Sequence, residues 1–364
     1  STRNREIRNA GRNLSMGISR TEVLVTSNNT LCTDQFIDSI STVKSKKLII
    51  ADECHNLGSE SFIRNPPIIF DYRLGLSATP IRQYDQEGTE ELIDFFGQVC
   101  FNFDLKEAIG KCLTEYDYHV HFVELLTDEM EEWKNLTEKI LANQWRRKEE
   151  KDVKYLEKLL IQRRKILETA HGKIGLLAGL LESEGTRKVE YALIYATDKD
   201  PEQLEQVNKL LVDRGIMFHQ LTDQETSKGR TSQKILLDFQ NGHLKVLTAK
   251  RVLDEGVNIP QIKLVFLLAS TTVLRQWVQR RGRLLRKCKE IGKTHAVIHD
   301  FVVLPPNVLL GSYTSGDLDD DTRKLIRSEY KRVWEFAKLC RNSSNDDGPY
   351  KILDKLKELT NQLE

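Results

Sequence analysis

Leu48-Ile49-Ile50-Ala51-Asp52-Glu53-Cys54-His55 is an apolar run that ends on two carboxylates, a thiol and an imidazole. A run of this length reads as a buried strand, covered on both faces as in a parallel sheet. Burying an uncompensated charge is costly, so acids in this position belong at the rim, facing a cation. In open α/β sheets, ligands bind at the carboxyl ends of the strands. One carboxylate would suit Mg²⁺ with its phosphates, and the second could act as a base toward water. Taken alone, the stretch fits a strand ending in a polar turn equally well.

Working outward, residues 22–26 read as a short strand and residues 33–40 as a helix capped by Thr33 or Asp34. Residues 68–70 and 73–76 lead into Ser77-Ala78-Thr79-Pro80, again a strand that ends in small polar residues. Helices are expected over 88–96 and 105–112, and a strand over 119–126. Composition changes at Thr127. From there to Gly172 there is no Gly or Pro, and Trp133, Leu136, Ile140, Leu156, Leu159 and Ile166 recur at helical spacing. The polar side of these helices is dense in Arg and Lys, which suits a solvated face or a surface that tracks a nucleic-acid backbone. After a linker at 185–187, strands and helices alternate to residue 301, the pattern of a parallel, doubly wound sheet. Two amphipathic helices, 318–340 and 350–363, follow.

The 364 residues carry a net charge of +1, so any basic surface must be local. Six scattered cysteines without a C-x-x-C pair suit reduced thiols and not structural zinc. Ser1 to Arg20 lacks the apolar segment of a secretory signal. No apolar run of about 18 residues occurs. The expected location is therefore cytoplasmic, nucleoid-associated in a bacterium, with no membrane partner.

Three further stretches join the opening one: Leu74-Gly75-Leu76-Ser77-Ala78-Thr79-Pro80, Asp254-Glu255-Gly256-Val257-Asn258-Ile259-Pro260 and Gln279-Arg280-Arg281-Gly282-Arg283-Leu284-Leu285-Arg286. Together with Asp52-Glu53-Cys54-His55 they resemble motifs II, III, V and VI of superfamily 2 DEAD/DEAH-box helicases and translocases, in order. The wording is closest to the branch of type III restriction subunits and excision-repair helicases. The resemblance implies an α/β fold of two RecA-like lobes with ATP in the cleft between them. Residues 1–126 would be the later part of the first lobe, 127–185 a helical insert, 186–304 the second lobe and 305–364 a C-terminal helical extension. Such a protein is an ATP-dependent nucleic-acid motor. Double-stranded DNA is the first choice of track, RNA a further one, and other subunits of a defence or repair complex are implied partners.

By the same resemblance, Asp52 holds Mg²⁺ through water, and Glu53 orients and deprotonates the attacking water. His55 couples the nucleotide to Ser77 and Thr79. Arg283 and Arg286 are arginine fingers with Gln279 nearby, and Gly256 lies against the nucleotide. Asn258 stands where many relatives carry Asp, so its ribose-binding or arginine-orienting role loses a charge. Thr26, Ser27, Thr197, Thr248 and Lys250 fall where the family touches nucleic-acid backbone; a strand-end cap is the competing reading for each threonine. Cys54 and Trp277 are read as packing residues, and His119, His121 and His219 as structural. Phosphoryl transfer requires these parts in any case: a cation, a base and guanidinium forks.

One part is absent. No G-x-x-x-x-G-K-[ST] occurs, and Gly292-Lys293-Thr294 precedes a strand where a phosphate loop would precede a helix. The chain is therefore expected to be a fragment that binds ATP poorly by itself. A non-catalytic helicase-like scaffold or nucleic-acid-binding regulator is the main alternative, and an RNA helicase or sensor the second.

Overall fold

The computed structural model describes residues 2–57, 60–64, 66–81, 85–143, 145, 150–183, 185, 189–197, 200–221, 229–250, 258–269, 281–309, 319–346 and 348–360. It divides into two compact units, Ser1–Asp104 and Leu105–Glu364.

In the first unit, strands β1 (Leu48–Ala51) and β2 (Tyr72–Gly75) pair in parallel, Leu48 opposite Tyr72 and Ala51 opposite Gly75. Ile49 and Ala51 face a core built from Ile7, Phe36, Ile40, Phe62, Leu92 and Phe95. Helices Thr2–Ser15, Asp34–Ser41 and Gln86–Phe96 supply much of that core. Burial alternates along β1, and Leu48 and Ile50 are 55% and 59% exposed. The expectation of a strand covered on both faces is corrected: one face is packed, and the other presents Leu48, Ile50, Tyr72 and Leu74. The strand expected over 22–26 is not formed. Val23 and Val25 are 80% and 95% exposed, with no strand among the described residues beside them to take their backbone hydrogen bonds. Glu22 is instead drawn into a turn by Ser19 Oγ (2.6 Å) and Asn13 Nδ2 (3.0 Å).

The second unit holds β3 (Glu115–Glu124), β4 (Ala192–Tyr195), β5 (Phe218–Leu221), β6 (Val246–Ala249), β7 (Leu264–Leu267) and β8 (His295–Leu304). Their order is β3-β8-β7-β4-β6-β5, and every pairing is parallel. The central strands β4, β6 and β7 are buried at each position, as uninterrupted apolar runs require. Helices Thr127–Asn143, Glu150–Glu168, Gly172–Ser183 and Pro201–Asp213 cover one face, through Trp133, Leu159, Leu177 and Val207. Helices Gly229–Gln240, Asp320–Ala337 and Pro349–Thr360 cover the other, through Phe239, Val333, Phe336 and Leu356. The α/β fold with parallel sheets is as expected from sequence.

The sequence assigns residues 119–126 to the end of the first lobe; in the structure β3 pairs with β8 over ten residues, from Glu115 opposite His295 to Glu124 opposite Leu304. Its other edge is closed by the loop after helix Asp320–Ala337. Arg341 N–H donates to Tyr116 O at 2.8 Å, and the Arg341 guanidinium grips Asp117 at 2.6 and 3.0 Å. Buried Asn342 then stands in for a neighbouring strand. Its Oδ1 accepts Tyr118 N–H at 2.9 Å, and its Nδ2 donates to Tyr118 O at 3.1 Å.

Two stability predictions follow from this sheet. Asn342→Ala strands a buried N–H and a buried C=O, so urea unfolding should show a loss of about 2–4 kcal/mol; an unchanged midpoint would contradict the edge-closing role. On one side of the β3–β8 ladder, His299 stacks between Phe266 and His121, with His121 Nε2 2.9 Å from His299 Nδ1. Burial holds the His121 imidazole down to about 4 and that of His299 down to about 3. The unfolded chain takes up these protons near pH 6.5 while the fold does not, so it binds more protons in that interval. Stability is therefore expected to fall as pH drops from about 6.5 toward 4. His299→Phe keeps the stack on Phe266 and should flatten that slope in urea titrations between pH 7 and pH 5; an unchanged slope assigns it elsewhere.

Candidate active site

Asp52 and Glu53 leave β1 at its carboxyl end. Asp52 is exposed, and its Oδ1 accepts Glu53 N–H at 3.0 Å. Glu53 sits at φ 49°, ψ 48°, the left-handed region, which costs a residue with a Cβ about 1–3 kcal/mol. Two backbone bonds hold it there. Cys54 N–H donates to Leu76 O at 2.9 Å, and Leu76 N–H donates to Ala51 O at 2.8 Å. The segments that leave β1 and β2 are thereby stitched together. Gly75 permits the approach: a Cβ there would lie 3.0 Å from both Cys54 Sγ and Phe96 Cγ. Burial pushes the Cys54 thiol up, in keeping with a packing role.

His55 lies on the short 3₁₀ turn Cys54–Asn56 and is buried. Its Nδ1 is 2.8 Å from Ser77 Oγ and 3.4 Å from Glu53 Oε2. Ser77 Oγ also accepts Thr79 N–H at 3.1 Å. The structure thus brings His55, Ser77 and Thr79 into one hydrogen-bonded group, with the Glu53 carboxylate 3.4 Å from His55 Nδ1 and Asp52 at the margin. An exposed carboxylate at a strand end is the donor type that Mg²⁺ takes together with waters and phosphates, so Asp52 fits that ion.

In the second unit, residues 281–284 form a helical turn. Arg281 is buried, Arg283 is half-buried, and Arg286 is exposed. Arg286 Nη1 donates to Asn258 Oδ1 at 2.5 Å, so the amide holds the guanidinium that a carboxylate would otherwise pair with. Leu285 O accepts Thr114 N–H at 2.7 Å and Thr114 Oγ1 at 3.1 Å. Lys293 Nζ donates to Leu284 O at 2.6 Å and Pro260 O at 3.1 Å, and burial holds its ammonium down to about 8. Its position in the sequence gave no signal of this. The lysine of Gly292-Lys293-Thr294 fastens backbone carbonyls and does not present itself to a phosphate. Gly256 and Gln279 lie outside the described residues, as does Trp277.

The residues assigned to nucleic-acid backbone are scattered. Thr26 and Ser27 lie in exposed chain before the short helix Asn28–Leu31, with Ser27 Oγ 3.1 Å from Thr30 Oγ1. Thr197 is buried: its Oγ1 donates to Glu168 Oε2 at 2.5 Å, and its N–H to Gln203 Oε1 at 2.9 Å. Thr248 has no exposed surface, and its hydroxyl donates to Asn208 Oδ1 at 2.9 Å. Lys250 is half-buried at the exit of β6. Backbone contact by Thr197 or Thr248 would require each hydroxyl to leave a present partner.

The close approach at Gly75 is directly testable. Gly75→Ala should cost about 1–3 kcal/mol through displacement of Cys54 and Phe96. Cys54→Ala added to it should recover part of the loss in thermal unfolding, whereas a neutral Gly75→Ala would place the two segments further apart than described.

Comparison with known proteins extends these observations. Residues 172–288 match the helicase conserved C-terminal domain. The chain is 27% identical over 259 residues to the DNA 3'-5' translocase XPB2 of Sulfurisphaera tokodaii, an alignment covering 66% of this chain and 56% of that protein. The chain thus spans just over half the length of this relative. Among solved structures, it is similar to the Hef helicase domain of Pyrococcus furiosus, with TM-score 0.48 and 17% identity over 80% of this chain and 78% of that one. The likeness to helicases, read from four motifs, is borne out.

Proposed function

We propose that this superfamily 2 chain supplies the hydrolytic carboxylates and the arginine fingers of an ATP-driven motor that moves on nucleic acid, duplex DNA before RNA. The contact that carries the reading is His55 Nδ1 to Ser77 Oγ at 2.8 Å, which joins the acidic strand end to the Ser-Ala-Thr loop. A polar turn that merely ended a strand would not need a buried imidazole shared with a second strand end. The DNA track is favoured by the relative from Sulfurisphaera tokodaii, itself described as a DNA translocase.

On this reading Asp52 would hold Mg²⁺ through water, and the ion would offset phosphate charge. Glu53 orients the attacking water and takes its proton. Its carboxylate lies 3.4 Å from His55 Nδ1, so a change at the nucleotide reaches Ser77 and Thr79 through one imidazole. Arg283 and Arg286 stabilise charge on the transferring phosphoryl group, with Asn258 fixing Arg286. By the family resemblance Gln279 and Gly256 would also belong to the nucleotide site. Turnover on this reading needs both the carboxylate that takes the proton and the guanidinia that stabilise the phosphoryl charge. A non-catalytic scaffold is the second reading.

Glu53→Gln in the natural full-length protein is expected to lower DNA-stimulated ATP turnover by about 10²-fold or more while ATP binding persists. Unchanged turnover refutes the base assignment. DNA binding without any turnover by the wild-type protein supports the scaffold. The 364-residue chain by itself is expected to show no DNA-stimulated turnover, because the family's phosphate grip is absent from its sequence.

A further inference from the structure

We propose that Arg281 is a positioning residue that lets the helix Asp320–Ala337 set where Arg283 and Arg286 stand. The inference rests on the reading of those two arginines as fingers. Arg281 itself faces away from any substrate, being 1% exposed and the largest fully buried side chain among the described residues.

A guanidinium is expensive to bury, so its partners indicate what keeps it there. Arg281 Nη1 donates to Glu335 O at 2.5 Å, and its guanidinium carbon lies 4.7 Å from the centroid of the Phe336 ring. Glu335 is in the last turn of helix Asp320–Ala337. Carbonyls there lack full intrahelical partners and carry the negative end of the helix dipole, so a cation is held by charge as well as by a hydrogen bond. The next carbonyl, Phe336 O, is capped by Tyr116 Oη at 2.6 Å. Two adjacent carbonyls of one helix end are therefore satisfied from two places, Tyr116 from β3 and Arg281 from the arginine turn.

The far end of that turn is also fixed. Leu284 O is held by Lys293 and Leu285 O by Thr114, while Arg286 is held to Asn258. A short turn pinned at both ends moves as one piece. Any displacement of helix Asp320–Ala337 is then transmitted through Arg281 to residues two and five positions further on. Tyr116 caps the same helix, and its hydroxyl also engages the Arg281 guanidinium. Asn342, whose side chain bonds the backbone of Tyr118 at the outer edge of β3, is therefore the matched control for stability.

The test compares Arg281→Met, Arg281→Lys and Asn342→Ala in the natural protein, by thermal unfolding and steady-state ATP turnover with DNA. Arg281→Met should lower kcat about tenfold or more with KM for ATP within about twofold of wild type. Arg281→Lys should recover part of that loss. Asn342→Ala should lower the unfolding midpoint yet leave kcat near wild type. Should Arg281→Met not fold, Phe336→Leu removes only the ring beneath the guanidinium and should lower kcat about threefold at unchanged KM. Wild-type kcat in Arg281→Met or, where that variant does not fold, in Phe336→Leu overturns the proposal, as do losses that track stability equally in Arg281→Met and Asn342→Ala. Arg283→Ala separates the two levels. Full turnover in Arg283→Ala overturns the finger reading, whereas its loss beside an unaffected Arg281→Met overturns the positioning role alone. A full-length protein with no turnover overturns both.

Discussion

Asp300, on β8, has no exposed surface, and the second unit depends on keeping its charge satisfied. Tyr118 Oη from β3 donates to its Oδ2 at 2.7 Å, and Arg332 Nη1 from helix Asp320–Ala337 lies 3.4 Å from its Oδ1. Arg332 in turn pairs with buried Glu329. Burial pushes the Tyr118 hydroxyl well up, so it remains a donor to the carboxylate. Removing one partner from a buried ion pair costs about 3–5 kcal/mol, because the remaining charge is left in a poor solvent. β3, β8 and helix Asp320–Ala337 are therefore obliged to occur together.

That obligation explains the path of the chain. β3 precedes the helices that cover one face of the sheet, and helix Asp320–Ala337 follows the last strand. The arginine turn is then fastened to both, through Thr114 just ahead of β3 and through Glu335 near the helix end. Residues far apart in sequence thus set the surroundings of Arg283 and Arg286. A cation buried at such a junction is better explained by orientation than by stability, since an apolar residue of similar volume would fill the space at no desolvation cost.

The parts legible in the sequence are those where residue type alone limits the choices. Ala192–Tyr195, Val246–Ala249 and Leu264–Leu267 are runs that only a strand covered on both faces accommodates. Asp52-Glu53 after an apolar run and the arginines around Gly282 are equally restricted by their chemistry. Other features depend on distant partners. Residues 22–26 have strand propensity but no strand to pair with, and β3 looks the same whichever sheet takes it. Thr197 and Thr248 read alike as caps or as phosphate donors. The acceptors that engage them, on Glu168 and Asn208, lie 29 and 40 residues away. The alternating exposure of β1 has the same origin, since Leu48 and Ile50 cannot announce whether a layer lies over them.

Glu53 is where local rules and function part. Glycine or asparagine would occupy φ 49° at lower cost, yet the position holds a glutamate, kept in place by the backbone bonds between the exits of β1 and β2. Strain retained in this way is best explained by the direction it gives the carboxylate. His55 Nδ1 stands 2.8 Å from Ser77 Oγ and 3.4 Å from Glu53 Oε2, and one ring nitrogen cannot serve both at full strength. On the proposed reading the two partners compete. A carboxylate drawn toward an attacking water releases the imidazole to Ser77, and one that relaxes after hydrolysis takes it back. On that reading, coupling between nucleotide and loop would need only a small approach of the Glu53 carboxylate to an imidazole that is already bonded to Ser77.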